Sequence, residues 1–339
     1  MSGNDVAIVS TAHWQGDPRL NRHVTYLERA GHHVTLSTHS DQTRPAALIG
    51  ALRDIWSGEG RIVILPDPEL FVLGSLVARL RRRLAIIDIH EDYAKAAMAR
   101  PWIPDLLRPF VKALAAFNSR IGRGIAWRTM TAAPELTRTG DHVVLNLPDP
   151  ASVDPMPFRG DKSLVYIGDL TIARGAVEMV EVLSHLDETF SLTLIGPASQ
   201  EVNTAITSVA SKLGVATHVK KPGRLAHSEA WTAAGGSLAG LSLLADVPAY
   251  REAVATKVWE YMAHGIPPVV SDLPGQRRLV SQLDASLICG SPKEAAAAIR
   301  RLADDQAKRT ELGERARSLV EKAWSEHRPD LAVQSVVEP

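Results

Sequence analysis

The chain has 339 residues, and its 38 Lys plus Arg are balanced by 38 Asp plus Glu, so no net field favours coating a nucleic acid or another polyanion. That length accommodates two domains of ordinary size, each with its own core. The single cysteine, Cys289, excludes an intrachain disulfide and a Cys-rich metal site and suits a reducing compartment.

The opening MSGNDVAIVS has no basic stretch leading into a long apolar run, and no apolar run approaches the length of a membrane span. A soluble, cytoplasmic protein is the expectation. Apolar strand-like runs then alternate with helical patterns in two series. The first series is residues 6–10, 34–38, 61–65, 84–89, 129–131 and 143–145. Its best-marked helix starts at Asp17-Pro18, an N-cap followed by proline at the first helical position, and stops at Gly31. The segment NLPDP and a proline-punctuated stretch follow, and the second series runs 164–167, 192–195, 215–219, 239–243, 268–271 and 286–289. This is the alternation of parallel, doubly wound sheets. The expected organisation is an α/β fold of two Rossmann-like domains facing a cleft. Residues 1–150 form the first domain, 151–161 a linker, 162–325 the second domain and 326–339 a tail.

Ligands of such sheets sit at the carboxyl ends of strands. In YIGDLTIARGAVEMV, Gly168 opens the loop after a strand, allowing close backbone approach, and Arg174 precedes a helix, able to donate in pairs to phosphate oxygens. In IIDIHEDY, a strand delivers His90 to its carboxyl end, where it suits either a packed capping residue or one facing a ligand. In ATKVWEYMAHGIPPVVSD, a short helix is expected over residues 257–264, with Thr256 as N-cap and Gly265 as stop. Val258, Tyr261 and Met262 form its buried stripe, and Lys257, Glu260 and His264 share the opposite face. A lysine in a first helical turn has the wrong sign for the helix dipole unless an anion binds there. The alternative is a solvated Lys257–Glu260 ion pair contributing about 0.2–0.5 kcal/mol.

Glu252 and Glu260 are separated by seven residues, and KVWEYMAHGIPPVVSD follows. With Arg174-Gly175, this resembles the donor-binding half of the family 4 glycosyltransferases, retaining enzymes of the GT-B fold. DPRLNRHVTYLERAGHHVTL, DIHE and NLPD resemble elements of the same family, so the likeness spans roughly residues 5 to 290. It implies an acceptor-binding first domain and a nucleotide-sugar-binding second domain. Arg174 and Lys257 would grip the diphosphate, Glu260 the ribose hydroxyls, and Glu252 would lie near the transferred sugar, with His90 facing that sugar from the first domain. Gly168 and the turn Gly223-Arg224-Leu225 would lie against the nucleotide. Gly16 and Asp17 are assigned to the cleft, although Asp17 suits simple helix capping as well. Transfer would retain anomeric configuration, with fixed positive charge in place of a metal and no cofactor beyond the donor. The acceptor would be a glycan, a lipid-linked glycan or a small molecule.

The sequence also departs from the family pattern. Arg174 is followed by Gly-Ala-Val-Glu with no lysine, so Lys257 would supply the second charge. Glu252 is followed by Ala253-Val254-Ala255 where relatives have Gly-x-Gly, and the loop TAHWQGDPR contains only Gly16 where relatives are often glycine-rich. A nucleotide-sugar 2-epimerase shares the architecture but calls for a cluster of cleft carboxylates and histidines. A non-enzymatic two-lobed sugar-binding module would need neither Arg174 with Lys257 nor Glu260. The 12 histidines show no metal-ligand rhythm. Finally, ARLRRRL and LLRPFVKALAAFNSRIGRGIAWR suit either peripheral contact with an anionic membrane or, more commonly for such segments, ordinary helices with a solvated face.

Overall fold

The structure is a computed structural model and describes residues 5–99 and 103–338; the MSGN start of the sequence lies outside them. The chain divides into two compact units, Met1–Asn146 with His327–Pro339, and Leu147–Glu326.

The first unit runs β1 (Asp5–Ser10), α1 (Pro18–Arg29), β2 (His33–Thr38), α2 (Arg44–Ser57), β3 (Ile62–Leu65), α3 (Pro68–Leu80), β4 (Leu84–Ile89), α4 (Tyr93–Ala99), α5 (Arg108–Ile125), β5 (Arg128–Thr131) and β6 (His142–Val143). All six strands are parallel, in the order β2-β1-β3-β4-β5-β6. The near-continuous Val/Ile/Leu runs of β1, β3 and β4 are what a sheet covered on both faces demands. Residues from α2 and α3, including Ile55, Leu70 and Phe71, pack on one face. α1 begins as expected, with the Asp17 carboxylate accepting from the amides of Arg19 and Leu20.

The second unit runs β7 (Ser163–Ile167), α6 (Ala176–Ser184), β8 (Ser191–Ile195), α7 (Gln200–Lys212), β9 (Val219–Gly223), α8 (His227–Ala234), β10 (Ala239–Ser242), α9 (Thr256–Ala263), β11 (Pro268–Ser271), α10 (Pro274–Val280), β12 (Ile288–Cys289), α11 (Pro292–Asp304) and α12 (Gln306–His327), after which α13 (Pro329–Val337) belongs to the first unit. Its parallel sheet has the order β12-β11-β10-β7-β8-β9. That is the dinucleotide-fold order, reversing direction between its first and fourth strands, β7 and β10.

Several expectations are corrected. The strand expected at 215–219 lies at 219–223, because Val215 is used in closing α7: Gly214 takes φ 74°, and the Val215 amide donates to the Ala210 carbonyl. The stretch read as a linker at 151–161 is bound into the second unit, where Arg317 donates to the carbonyls of Pro150, Val153 and Ala263. Residues 326–339, expected as a tail, form the end of α12 and then α13, which packs on α1 with Val333, Val336 and Val337 buried. Among the described residues no helix is long and apolar enough to cross a membrane.

Candidate active site

In the second unit the informative residues gather where the sheet order reverses. β7 ends at Ile167, and Gly168 follows with φ 140°. Gly196, after β8, takes φ 150°, and a Cβ there would stand 1.9 Å from the Gly168 carbonyl oxygen. The two loops therefore run side by side only with glycine at 196. The Gly196 amide in turn donates to the Gly223 carbonyl at 2.9 Å, which ties in the end of β9. Arg174 ends a short turn capped by the Thr171 hydroxyl. Gly175 follows with φ 78°, where a Cβ would meet the Leu243 carbonyl oxygen at 1.9 Å. The Arg-Gly pair thus lets the start of α6 close onto the end of β10.

α9 comes to the same place from the other strand of the reversal. Ala255 occupies its N-cap position, so Thr256 is the first helical residue and not the expected cap. Val258, Tyr261 and Met262 are fully buried, as the spacing predicts. The Tyr261 ring lies over Gly240, where a Cβ would stand 2.5 Å from it. Its hydroxyl accepts from the Ile167 amide at 3.0 Å and donates to the Leu241 carbonyl at 3.3 Å. This locks α9 to the sheet and aims its polar residues at the β7 end. Lys257 Nζ donates to the Tyr166 hydroxyl at 2.8 Å and sits 4.2 Å from the centre of that ring. A Cβ on Gly168 would come within 2.9 Å of Lys257 Nζ. The Tyr166 hydroxyl donates to the Asp169 carbonyl at 2.9 Å.

Electrostatics follow from this crowding. Burial, and next the Arg174 guanidinium, push the Lys257 ammonium down to about 7, against the opposing carboxylates of Glu260 and Asp169. Burial also opposes the charge on Arg174, but Tyr166, Tyr250 and Asp169 outweigh it and raise its pKa; Asp169 lies 3.4 Å away. Burial raises the Tyr166 phenol, with Arg174 opposing. Two cations thus share one hydroxyl at the mouth of a parallel sheet, an arrangement that an oxyanion would relieve.

The other expected residues are placed as follows. Glu260 is half-buried one turn along α9 from Lys257. Arg224 is exposed, and Leu225 packs partly against Trp231 and its neighbours. Glu252 lies in the loop before α9, where its carboxylate pairs with Arg278 at 2.7 Å. Its carbonyl would be struck by a Cβ on Gly275 at 2.3 Å. His264 is not on the polar face with Lys257. It sits past the end of α9, buried, stacked on Trp231 at 4.1 Å, with Nδ1 donating to the Asp154 carbonyl at 3.1 Å. Burial lowers its pKa to about 4. Tyr166, Asp169, Tyr250 and Gly196 join the site without having been singled out, since only strand neighbourhood brings them in.

The first unit has its own polar cluster, also where its sheet order reverses, between β1 and β3. Asp67, just past β3, accepts from the Ser10 hydroxyl at 2.6 Å and the Thr11 amide at 2.7 Å. Asp88, fully buried on β4, accepts from Arg19 at 2.6 and 2.9 Å, from His23 at 3.1 Å and from His90 at 2.7 Å. Burial works against the Asp88 charge, but Arg19, ahead of the histidines, outweighs it and holds the carboxyl well below its usual range. His90 is therefore oriented by Asp88. His13, which the sequence pattern did not reveal, meets His90 edge to face at 5.1 Å and pairs with Asp17 at 2.9 Å. Burial opposes its charge, but Asp17 and Asp67 outweigh it and raise its pKa. The same bond, against burial, lowers Asp17 to about 2, so Asp17 both caps α1 and holds His13. Gly16 lies under the Trp14 ring, which a Cβ would meet at 2.1 Å. Among the described residues no three or more His, Cys, Asp or Glu are arranged to hold a metal ion; Asp67 and Asp88 are already committed to protein donors.

Residues 154–319 match the model of the family described as glycosyl transferases group 1. No curated protein sequence matches the chain. Solved structures share its fold across both units. HepE of Anabaena in complex with UDP-glucose is 14% identical, with 98% of this chain and 99% of that one covered and a TM-score of 0.72. The sucrose-phosphate synthase of Thermosynechococcus elongatus is 14% identical, with 98% of each chain covered and a TM-score of 0.75. WaaG, a glycosyltransferase involved in lipopolysaccharide biosynthesis, is 13% identical, with 98% of this chain and 100% of that one covered and a TM-score of 0.68. The chain has the two-sheet α/β fold of the GT-B glycosyltransferases, and residues 154–319 carry the sequence pattern of the glycosyl transferases group 1.

Proposed function

We propose that this protein is a family 4 glycosyltransferase, moving a sugar from a nucleotide-diphosphate sugar to an acceptor with retention of configuration, without a metal, in the cytoplasm. The observation that carries the reading is the convergence of Lys257 and Arg174 on the Tyr166 hydroxyl beside Gly168. A diphosphate entering there replaces the hydroxyl as partner of both cations, and the negative charge that builds on it as the glycosidic bond breaks is met by groups already in position. Glu260 accepts from the ribose hydroxyls, and the backbone around Gly223, Arg224 and Leu225 lies along the base. Glu252 lies near the transferred sugar, and the first unit, through His90 and the edge carrying Gly16 and Asp17, takes the sugar side and the acceptor. That acceptor is a glycan, a lipid-linked glycan or a small molecule. The UDP-glucose complex of HepE supports a nucleotide-sugar donor, and the family pattern noted in the sequence supports retention.

A thermal-shift panel of UDP-, GDP-, TDP- and ADP-sugars tests donor binding, one of which should raise the melting temperature. Proton NMR of the product should show the donor's own anomeric configuration. Turnover should survive EDTA, and a loss restored by Mg²⁺ or Mn²⁺ would refute the metal-independent step. Release of free epimerised sugar in the absence of acceptor would point to the epimerase instead.

A further inference from the structure

In a sheet of this kind the amides just after the first strand, and those at the start of the helix that follows, are the ordinary seats of a phosphate. In the first unit both seats are filled by the protein's own carboxylates. Asp67 Oδ2 accepts from the Ser10 hydroxyl at 2.6 Å, the Thr11 amide at 2.7 Å and the Ala12 amide at 3.3 Å. Asp17 Oδ1 accepts from the opening amides of α1, Arg19 at 2.9 Å and Leu20 at 3.1 Å. His13, the basic residue of the loop, turns its two ring nitrogens to Asp17 at 2.9 Å and to Asp67 at 3.4 Å. At this edge the carboxylates of Asp17, Asp67, Glu69 and Asp88 meet the cations Arg19 and His13, four against two. An incoming phosphate would find its amides occupied and net negative charge around them. A hydroxyl group would find acceptors.

What the same loop presents outward is an aromatic ring. Trp14 is 41% exposed, and Gly16 lies so close beneath it that a Cβ would stand 2.1, 2.2 and 2.8 Å from three atoms of its six-membered ring. The loop that carries the ring is pinned by its own hydrogen bonds, the His13 amide donating to the Ser10 hydroxyl at 2.9 Å and the Asp17 amide to the Trp14 carbonyl at 3.0 Å. A single exposed tryptophan elsewhere on a surface would be ordinary. This one stands on a glycine at the carboxyl edge where the sheet order reverses, with carboxylates beside it, and apolar surface with a few placed polar groups is the composition of a ligand site. A sugar ring complements both features: its C–H face covers the indole, and its hydroxyls donate to the carboxylates of the edge.

We propose that Trp14 is the platform for an uncharged sugar ring, so that the acceptor is a neutral glycan held by its ring and hydroxyls and not by a phosphate. Calling that sugar the acceptor rests on the sugar-transfer reading; the binding itself rests on the first unit alone. The test is fluorine NMR of the full chain labelled with 5-fluorotryptophan, the Trp14 resonance among the seven being identified by its loss in Trp14→Phe. Titration with the methyl glycosides of glucose, galactose, mannose and N-acetylglucosamine should move that resonance, and not the other six, for at least one of them. Saturation-transfer NMR on the unlabelled chain should then pick out the ring protons of the same glycoside, and Trp14→Ala should weaken its binding on the order of tenfold. Glucose 6-phosphate should move the Trp14 resonance no further than methyl glucoside does. No response of that resonance to any of the four glycosides, or a larger response to glucose 6-phosphate at equal concentration, would overturn the proposal. None of these probes carries a nucleotide, so stabilisation of the chain by a nucleotide sugar without a Trp14 response would refute this inference and leave sugar transfer standing.

Discussion

Lys257 and Tyr166 are 91 residues apart, yet the lysine ammonium donates to the tyrosine hydroxyl at 2.8 Å and lies 4.2 Å from the ring centre. The pair ties the start of α9 to the end of β7. The lysine's hydrogen bond goes to a hydroxyl, while the Arg174 charge opposes its own and the Glu260 and Asp169 carboxylates support it.

That relationship separates the roles of the charged residues. Arg174→Ala or Lys257→Ala should each lower kcat by roughly 10²-fold, because stabilisation of the leaving diphosphate grows toward the transition state. Glu260→Gln should mainly raise the KM for donor, by about 1–3 kcal/mol of lost ribose binding. The Arg174/Lys257 double variant should fall short of additivity, since both act on one group. Steady-state kinetics with each variant checks this, and near wild-type turnover in both single alanine variants would return Lys257 to a surface role.

Lys257 also sets a pH dependence. Below about 7 the free protein already carries the ammonium that a diphosphate needs; above it the lysine must take up a proton on binding. Donor affinity should therefore be flat below pH 7 and fall above it, by up to about tenfold per pH unit, until the pKa of the bound state is reached. A nucleotide-sugar diphosphate has no proton of its own near neutrality, so the slope belongs to the protein. Isothermal titration in buffers of different ionisation enthalpy should show proton uptake above pH 7, and Lys257→Met should remove it.

The glycines of the donor edge should respond unequally. Gly223 has φ 81° but nothing within 4 Å of a Cβ, so Gly223→Ala should cost only the left-handed backbone, about 1–2 kcal/mol. Gly196→Ala adds an overlap with the Gly168 carbonyl and should cost about 1–3 kcal/mol more. It should also weaken donor binding, because the Gly168 loop must shift. Urea unfolding of the two variants measures the difference.

Acid should destabilise the second unit through His264. Its folded pKa of about 4 lies below the ordinary value of 6.5, so the unfolded chain binds the proton more readily. Its contribution is fully present above pH 6.5 and is lost as the pH falls toward 4. His264→Phe keeps a ring against Trp231 and removes the proton, so its stability should depend less steeply on pH across that window. Urea midpoints between pH 7 and 4 would show it.

The sequence by itself determined the alternation of strands and helices, the Asp17-Pro18 start of α1, the buried stripe of α9 and the residues that follow the strands. These rest on side-chain period, capping and glycine or proline stops, which act over a few residues. Even locally it erred where one residue could serve two ends: Val215 reads as strand but closes α7, and His264 continues the polar face of a helix that has already stopped. Only the tertiary structure decided the rest. The order β10-β7-β8-β9 brings Lys257, Tyr166, Gly168, Gly196 and Gly223 to one edge, and the adjacency of β1 and β3 joins Ser10 to Asp67. Arg278, 26 residues further along, pairs with Glu252. The return of α13 to α1 and the outward aim of Phe110 and Phe117 depend on which faces the sheets leave to be covered. Strand order and face assignment come from burying the whole core at once, and no short window of sequence contains that condition.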